Sequence, residues 1–287
     1  MKLNEIINNF SEKYDMNSLD IVSSSRELIV MLLASIKKCT RADIKLENVD
    51  FTDTDIITLD IMLKKITIDK IPIEYITNEV NIYNETYYVD NRVLIPRCDT
   101  ETLIEESINV VNKNGYKNLL DMCTGSGIVG ISISKNSIIQ KVDMVDISTD
   151  ALEVAKLNIT RNNAIKCNLI NSDMFDNLYE LNTKYDIIVS NPPYLTADEV
   201  ENRSEFSKLE PTVAFYGGEN GIRFYEIIFD KARDFLNENS TILVEIGYNQ
   251  KEKVIEIISK YKEYKTIEVV KDINSKDRVI KCHFQKI

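Results

Sequence analysis

Asp121-Met122-Cys123-Thr124-Gly125-Ser126-Gly127-Ile128-Val129-Gly130 is the stretch on which the architecture turns. It joins an apolar run at 117–122, read as a buried strand, to a helical pattern that opens at Ile128. Gly125, Gly127 and Gly130 match G-x-G-x-x-G, a turn whose glycines let backbone N–H groups and a helix N-terminus come close to a ligand. The same alternation continues outward. After Pro96 the patterning predicts a helix to about residue 113, strand 117–122, helix 128–134, strand 141–146, helix 150–161, a short strand at 168–170 and a strand over Tyr185–Ser190. Helix 221–236, strand 241–246, helix 250–261 and strands within 266–270 and 278–284 follow. This is an α/β fold, a mostly parallel sheet with helices on both faces. The short polar turn at 272–277 makes the last two strands antiparallel neighbours.

Upstream the period changes. Leu3, Ile6, Ile7 and Phe10 space like one helical face, as do Leu28, Met31, Leu32, Ser35 and Ile36, and Asp53 opens another helix running to Lys65. Between Asn78 and Ile95, apolar and polar residues alternate loosely around Asn84-Glu85-Thr86, as in a β-hairpin. The expected organisation is a small helical domain at 1–76, a linking hairpin at 77–95 and the α/β domain at 96–287.

Composition narrows the function classes. The 287 residues, 44% hydrophobic and 28% charged, suit a globular protein, and the longest apolar run, 28–36, is far short of the roughly 18 residues of a membrane helix. The start of the chain does not resemble a signal peptide, so cytoplasmic residence is expected, with no membrane partner. Five dispersed cysteines without a CxxC pair indicate neither a disulfide framework nor a zinc site, and His283 has no second ligand near it in sequence. No metal is expected. A net charge of −11 argues against a large nucleic-acid footprint.

Two further places carry chemistry. Asp146, about twenty residues beyond the loop at a strand end, is placed to accept hydrogen bonds from ribose hydroxyls. A carboxylate at Asp121 would repel a pyrophosphate and attract a sulfonium or ammonium. That favours S-adenosylmethionine over a nicotinamide dinucleotide on a loop made of Cys123, Thr124, Gly125, Ser126 and Gly127. Asp173 and Met174 are candidates to bond the adenine amine and cover its ring. Asn191-Pro192-Pro193-Tyr194 ends the strand Tyr185–Ser190, where open α/β sheets do chemistry. The prolines withhold two backbone donors, so carbonyl oxygens, the Asn191 side-chain oxygen and the Tyr194 ring together suit a planar NH2 group. Catalysis is assigned to Asn191, Pro192 and Tyr194 and substrate binding to these with Pro193.

These motifs together resemble the release factor glutamine methyltransferases. The resemblance extends to Pro72-Ile73-Glu74-Tyr75-Ile76, to Leu94-Ile95-Pro96-Arg97-Cys98-Asp99-Thr100-Glu101, to Glu210-Pro211 with Gly217-Gly218 and Gly221, and to Asp277-Arg278. It implies a Rossmann-like, seven-stranded class I methyltransferase sheet with an antiparallel last strand. S-adenosylmethionine is the implied donor, leaving as S-adenosylhomocysteine, and the acceptor is the Gly-Gly-Gln glutamine of peptide chain release factors. The same resemblance implies that Asn191 also touches the cofactor. The helical domain would help dock the release factor, and a monomer is expected. The family usually has Gly where Cys123 stands, Pro where Cys98 stands and Gly where Asn78 stands. Arg97, Asp99, Thr100 and Glu101 read as a helix cap that contributes to closing the cofactor pocket.

Three other readings stay open on the residues. An adenine exocyclic-amine methyltransferase acting on nucleic acid would use the same acceptors but needs a basic channel. A cofactor-binding regulator without catalysis, and an oxidoreductase, complete the set.

Overall fold

The computed structural model describes residues 2–16 and 24–287; residue 1 and residues 17–23 of the expected helical domain lie outside the described residues. The chain divides into two units, Met1–Asn78 with Glu205–Leu209, and Glu79–Ser204 with Glu210–Ile287.

The first unit contains α1 (Leu3–Lys13), α2 (Ser25–Lys37), α3 (Arg41–Lys45), α4 (Asp53–Thr67) and α5 (Ile73–Thr77). Side-chain oxygens start three of them. Ser24 accepts from Glu27 N at α2, while Thr40 with Asp43 and Thr52 with Asp55 form reciprocal capping boxes at α3 and α4. The α1 face read from the spacing, Leu3, Ile6, Ile7 and Phe10, is buried; of the α2 face Leu28 and Leu32 are buried while Met31, Ser35 and Ile36 are half-buried, and Leu33 of α2 with Leu59 and Leu63 of α4 completes the core. Asn78 closes α5 at φ 55°, a left-handed conformation that Asn adopts more readily than most residues.

The second unit opens with a hairpin, β1 (Val80–Ile82) and β2 (Glu85–Tyr87), whose turn is Tyr83-Asn84, with φ values of 49° and 63°. A two-residue turn with both central φ positive matches the twist of its strands, which places the turn one residue before the expected Asn84-Glu85-Thr86. Nor is the hairpin a free link. Ile82 and Tyr87 are buried with Leu103, Ile104 and Ile128, and the Tyr87 hydroxyl shares a 2.6 Å hydrogen bond with Ser132.

There follow α6 (Thr100–Asn114), β3 (Asn118–Met122), α7 (Ile128–Asn136), β4 (Lys141–Asp146), α8 (Thr149–Arg161), β5 (Cys167–Asn171), β6 (Tyr185–Ser190), α9 (Ala197–Glu201), α10 (Arg223–Lys231), β7 (Leu236–Glu245), α11 (Lys251–Ile258), β8 (Tyr264–Lys271) and β9 (Asp277–Gln285). Seven strands form one sheet in the order β5-β4-β3-β6-β7-β9-β8, parallel except for β9, which runs antiparallel to both neighbours. The expected helix 221–236 is shorter. It ends at Lys231 in a 3-10 turn over Ala232–Asp234, because Phe235 and Leu236 enter the core and begin β7. Apolar clusters lie on the two sheet faces, one built on Leu120, Ile188 and Val244, the other on Leu119, Ile187 and Leu243, as the alternation of side chains along each strand requires.

This order positions the site. The chain builds outward from β3 to β4 and β5, then crosses back to lay β6 on the other flank of β3. Loops leaving β3 and β6 diverge there, opening a crevice at the carboxyl ends of the strands. Among the described residues no helix is long and apolar enough to cross a membrane.

Candidate active site

The crevice is a cavity of about 360 Å³ lined by residues of the second unit, including Cys123–Ser126, Asp146, Asp173, Met174, Asn191 and Pro193. The glycine loop forms its floor. Gly125 and Gly127 hold φ of 55° and 87°, and a Cβ on Gly125 would meet nothing within 4 Å, so the backbone there is open to the cavity. At Gly127 a Cβ would press on Met144 at 2.8 Å, which is why that glycine can pack the start of α7 onto the sheet. Cys123 also sits in the left-handed region, at φ 61°, a conformation that glycine adopts more readily. Its Sγ lies 3.8 Å from Met174 Sδ. Burial, followed by the field of Asp146, pushes the thiol well above its ordinary range, so it is an inert wall.

Asp146 ends β4 and braces the loop with both oxygens: Gly125 N donates to Oδ2 at 2.8 Å and Ser148 N to Oδ1 at 2.9 Å. Burial raises its pKa while these backbone donors lower it. Asp146 lines the cavity, and each carboxylate oxygen has acceptor capacity beyond the one backbone donor it takes. Asp173 stands exposed on the rim, and Met174, buried at φ 47°, reaches the cavity wall.

Asp121 behaves differently from its expected role. It is 1% exposed, does not line the cavity, and spends Oδ2 on the Thr124 hydroxyl at 2.5 Å and on Gly130 N at 3.0 Å. Burial pushes its carboxyl up to about 7. The strand's alternation turns this side chain inward under the loop, so it holds the loop's shape and does not face a ligand.

Of the four residues after β6, Asn191 and Pro193 line the cavity, while Pro192 is buried and Tyr194 packs against the core beneath. Pro192 and Tyr194 are therefore not brought to the cavity wall as the catalytic assignment requires. Tyr194 directs its hydroxyl to Glu245 Oε1 at 3.5 Å, and burial drives its pKa far up. The side-chain amide of Asn191 donates from Nδ2 to Thr100 Oγ1 at 3.3 Å.

Several contributors escaped the sequence reading. Glu210 is 3% exposed, accepts from Ile95 N at 2.8 Å and pairs with Arg97 at 2.5 Å, tying two cavity walls, residues 92–96 and 211–216, together. Gln250 donates to the carbonyl oxygens of Tyr194 and Gly221. Asp99 stands at the N-cap of α6 but makes no side-chain cap hydrogen bond, pairing instead with Arg278 at 2.9 Å, while Glu101 accepts from Tyr83 N. Glu210-Pro211 and Asp277-Arg278 stood out as motifs, yet only packing shows what they hold. Among the described residues no group of three or more His, Cys, Asp or Glu is arranged to hold a metal.

Comparison with known proteins agrees with this geometry. The family model described as "Methyltransferase small domain" matches residues 100–206. The chain is 36% identical over 221 residues to a release factor glutamine methyltransferase of Clostridium botulinum, covering 75% of this chain and 76% of that one. It is 32% identical over 283 residues to the protein of that name from Streptococcus pneumoniae, covering 98% of each. A solved SAM-dependent methyltransferase from Streptococcus mutans, 15% identical with a TM-score of 0.52, covers 71% of this chain and 55% of that one and shares the fold. A seven-stranded methyltransferase sheet, a glycine loop braced by Asp146, an asparagine at the crossover and near full-length relatedness to its members lead to one conclusion: the chain belongs to the release factor glutamine methyltransferase family.

Proposed function

We propose that this enzyme transfers a methyl group from S-adenosylmethionine to the side-chain amide nitrogen of the glutamine in the Gly-Gly-Gln motif of peptide chain release factors. The observation that carries the reading is the orientation of Asn191. Its NH2 end is taken up by Thr100, so the amide presents its oxygen to the cavity, the polarity that accepts an N–H from an incoming carboxamide.

The residues present fit the donor. Gly125 leaves its backbone open, Asp146 offers carboxylate lone pairs for a ribose diol, and Met174 supplies an apolar, polarizable surface for a flat ring. Asp173 on the rim completes an acceptor set for an adenine amine. S-adenosylmethionine supplies an electrophilic methyl on a sulfonium. The protein's part is to hold the amide nitrogen in line with it, because a carboxamide nitrogen is a poor nucleophile whose lone pair is delocalised. Accepting an N–H bond on Asn191 Oδ1 orients the nitrogen and stabilises the positive charge growing on it. No general base is required. The half-buried ring of Tyr194 supports the loop from below, and the first unit serves to dock the release factor.

The adenine-amine alternative shares these acceptors, but relatedness to release factor methyltransferases and the acidic balance favour the protein substrate. Incubation with labelled S-adenosylmethionine and, separately, a release factor and DNA tests the choice. Mass spectrometry is expected to place one methyl on the Gly-Gly-Gln glutamine; methylated adenine with an unmodified release factor would refute the proposal.

A further inference from the structure

Gln250 stands at the start of α11, 7% exposed and outside the cavity lining, yet its side-chain amide holds three segments together. Nε2 donates to the Tyr194 carbonyl at 2.8 Å and to the Gly221 carbonyl at 3.1 Å, while Oε1 accepts from Gly247 N at 3.0 Å. The Tyr225 hydroxyl, whose shorter bond of 2.9 Å runs to the Glu245 carbonyl, lies 3.4 Å from the same Oε1. Both amide hydrogens are thus spent on backbone carbonyls, and a flipped amide would set its oxygen against them. Room for this arrangement comes from a missing side chain, since a Cβ on Gly221 would collide with the Tyr194 carbonyl oxygen and stand 2.8 Å from Gln250 Nε2. The support is itself fixed: Gln250 N donates to Gly247 O at 2.9 Å, and Gln250 O accepts from Val254 N at 3.0 Å.

The joined segments bear on the reaction. Tyr194 ends the acceptor loop, whose Asn191 and Pro193 line the cavity, and Gly221 leads into α10, whose Arg223 and Phe224 line it as well. We propose that Gln250 is a positioning residue for methyl transfer: its amide pins the carboxyl end of the acceptor loop to the returning segment at Gly221 and so holds Asn191 at the cavity wall. The inference rests on the reading of Asn191 given above and extends it to a residue outside the cavity. In-line transfer makes such a support matter, because a displacement of about 1 Å at the acceptor costs roughly 10² in rate.

Gln250→Glu keeps the shape and removes the NH2 donor, leaving an oxygen against two carbonyls. At saturating S-adenosylmethionine and release factor, single-turnover methylation is expected to fall roughly 10²-fold, with cofactor affinity by calorimetry within a few-fold of wild type. Hydrogen exchange supplies a readout without substrate. The Leu195 and Gly217 amides, which donate to Phe215 O and Leu195 O, are expected to exchange at least roughly tenfold faster while those of β3 keep their protection. A wild-type enzyme that leaves release factor unmodified sinks the functional reading only, and exchange then decides the latch alone. A folded Gln250→Glu with wild-type turnover overturns the proposal, whatever its exchange. Should burial of the new carboxyl unfold that variant, Gln250→Met, which carries no charge, decides by the same readouts; if it too fails to fold, Gln250 serves stability alone and the proposal falls.

Discussion

Gly217 lies against the backbone of Pro193 so closely that a Cβ on it would stand 2.7 Å from the Pro193 carbonyl oxygen and 2.7 Å from Tyr194 Cα. The segment after the acceptor loop folds back over it, with Leu195 N donating to Phe215 O and Gly217 N to Leu195 O, each at 2.8 Å. Backbone cannot give way as a flexible side chain does. Gly217→Ala is therefore expected to cost about 1–3 kcal/mol of stability by overpacking and to lower turnover more than cofactor affinity. Thermal unfolding and steady-state kinetics check this, and a variant with wild-type kinetics would show that the fold-back does not shape the acceptor loop.

Asn191→Ala removes the oxygen offered to the substrate and leaves the glycine loop intact. S-adenosylmethionine affinity is expected to stay within a few-fold of wild type while turnover falls at least roughly 10². Calorimetry with single-turnover methylation measures both, and near-normal turnover would remove Asn191 from the mechanism.

Asp146→Asn exchanges one acceptor oxygen for a donor that faces Gly125 N or Ser148 N. One loop N–H is left unpaired, and the carboxylate lone pairs offered to the ribose are halved. The expected outcome is S-adenosylmethionine binding weaker by about 1–3 kcal/mol, read by calorimetry, with little change in the turnover of saturated enzyme.

Asp121 gives a stability prediction with a definite sign. Its folded pKa of about 7 stands above the ordinary carboxylate value, chiefly through burial, so the folded state binds the proton more tightly than the unfolded chain. Its contribution is fully present below pH 4 and is lost as pH rises through about 7. Asp121→Asn has no such proton to lose. Relative to that variant, wild type is expected to lose stability between pH 5 and pH 8, and urea unfolding at both pH values measures the difference. A pH-independent gap would show that Asp121 does not titrate in this range.

The alternation of strands and helices from residue 117 onward was legible because each element buries a regular face, and periods of two and about 3.6 are written in the order of apolar residues. The glycine loop was legible for a related reason, since positive φ restricts the residues that can stand there. Element ends were less so: Phe235 and Leu236 fit a helical face as well as a strand, and only their burial in the sheet's core decides between them.

The sequence by itself determined the sheet class, the crevice-forming loops at residues 123–127 and 191–194, and the family resemblance, because local pattern and motif spacing are properties of neighbours along the chain. Tertiary structure alone decided that Asp121 turns inward, that the Tyr194 hydroxyl meets Glu245 beneath the loop, and that Thr100 stands against the Asn191 amide. Those contacts join residues far apart in sequence, and the direction of a hydrogen bond depends on which partner the fold places opposite it.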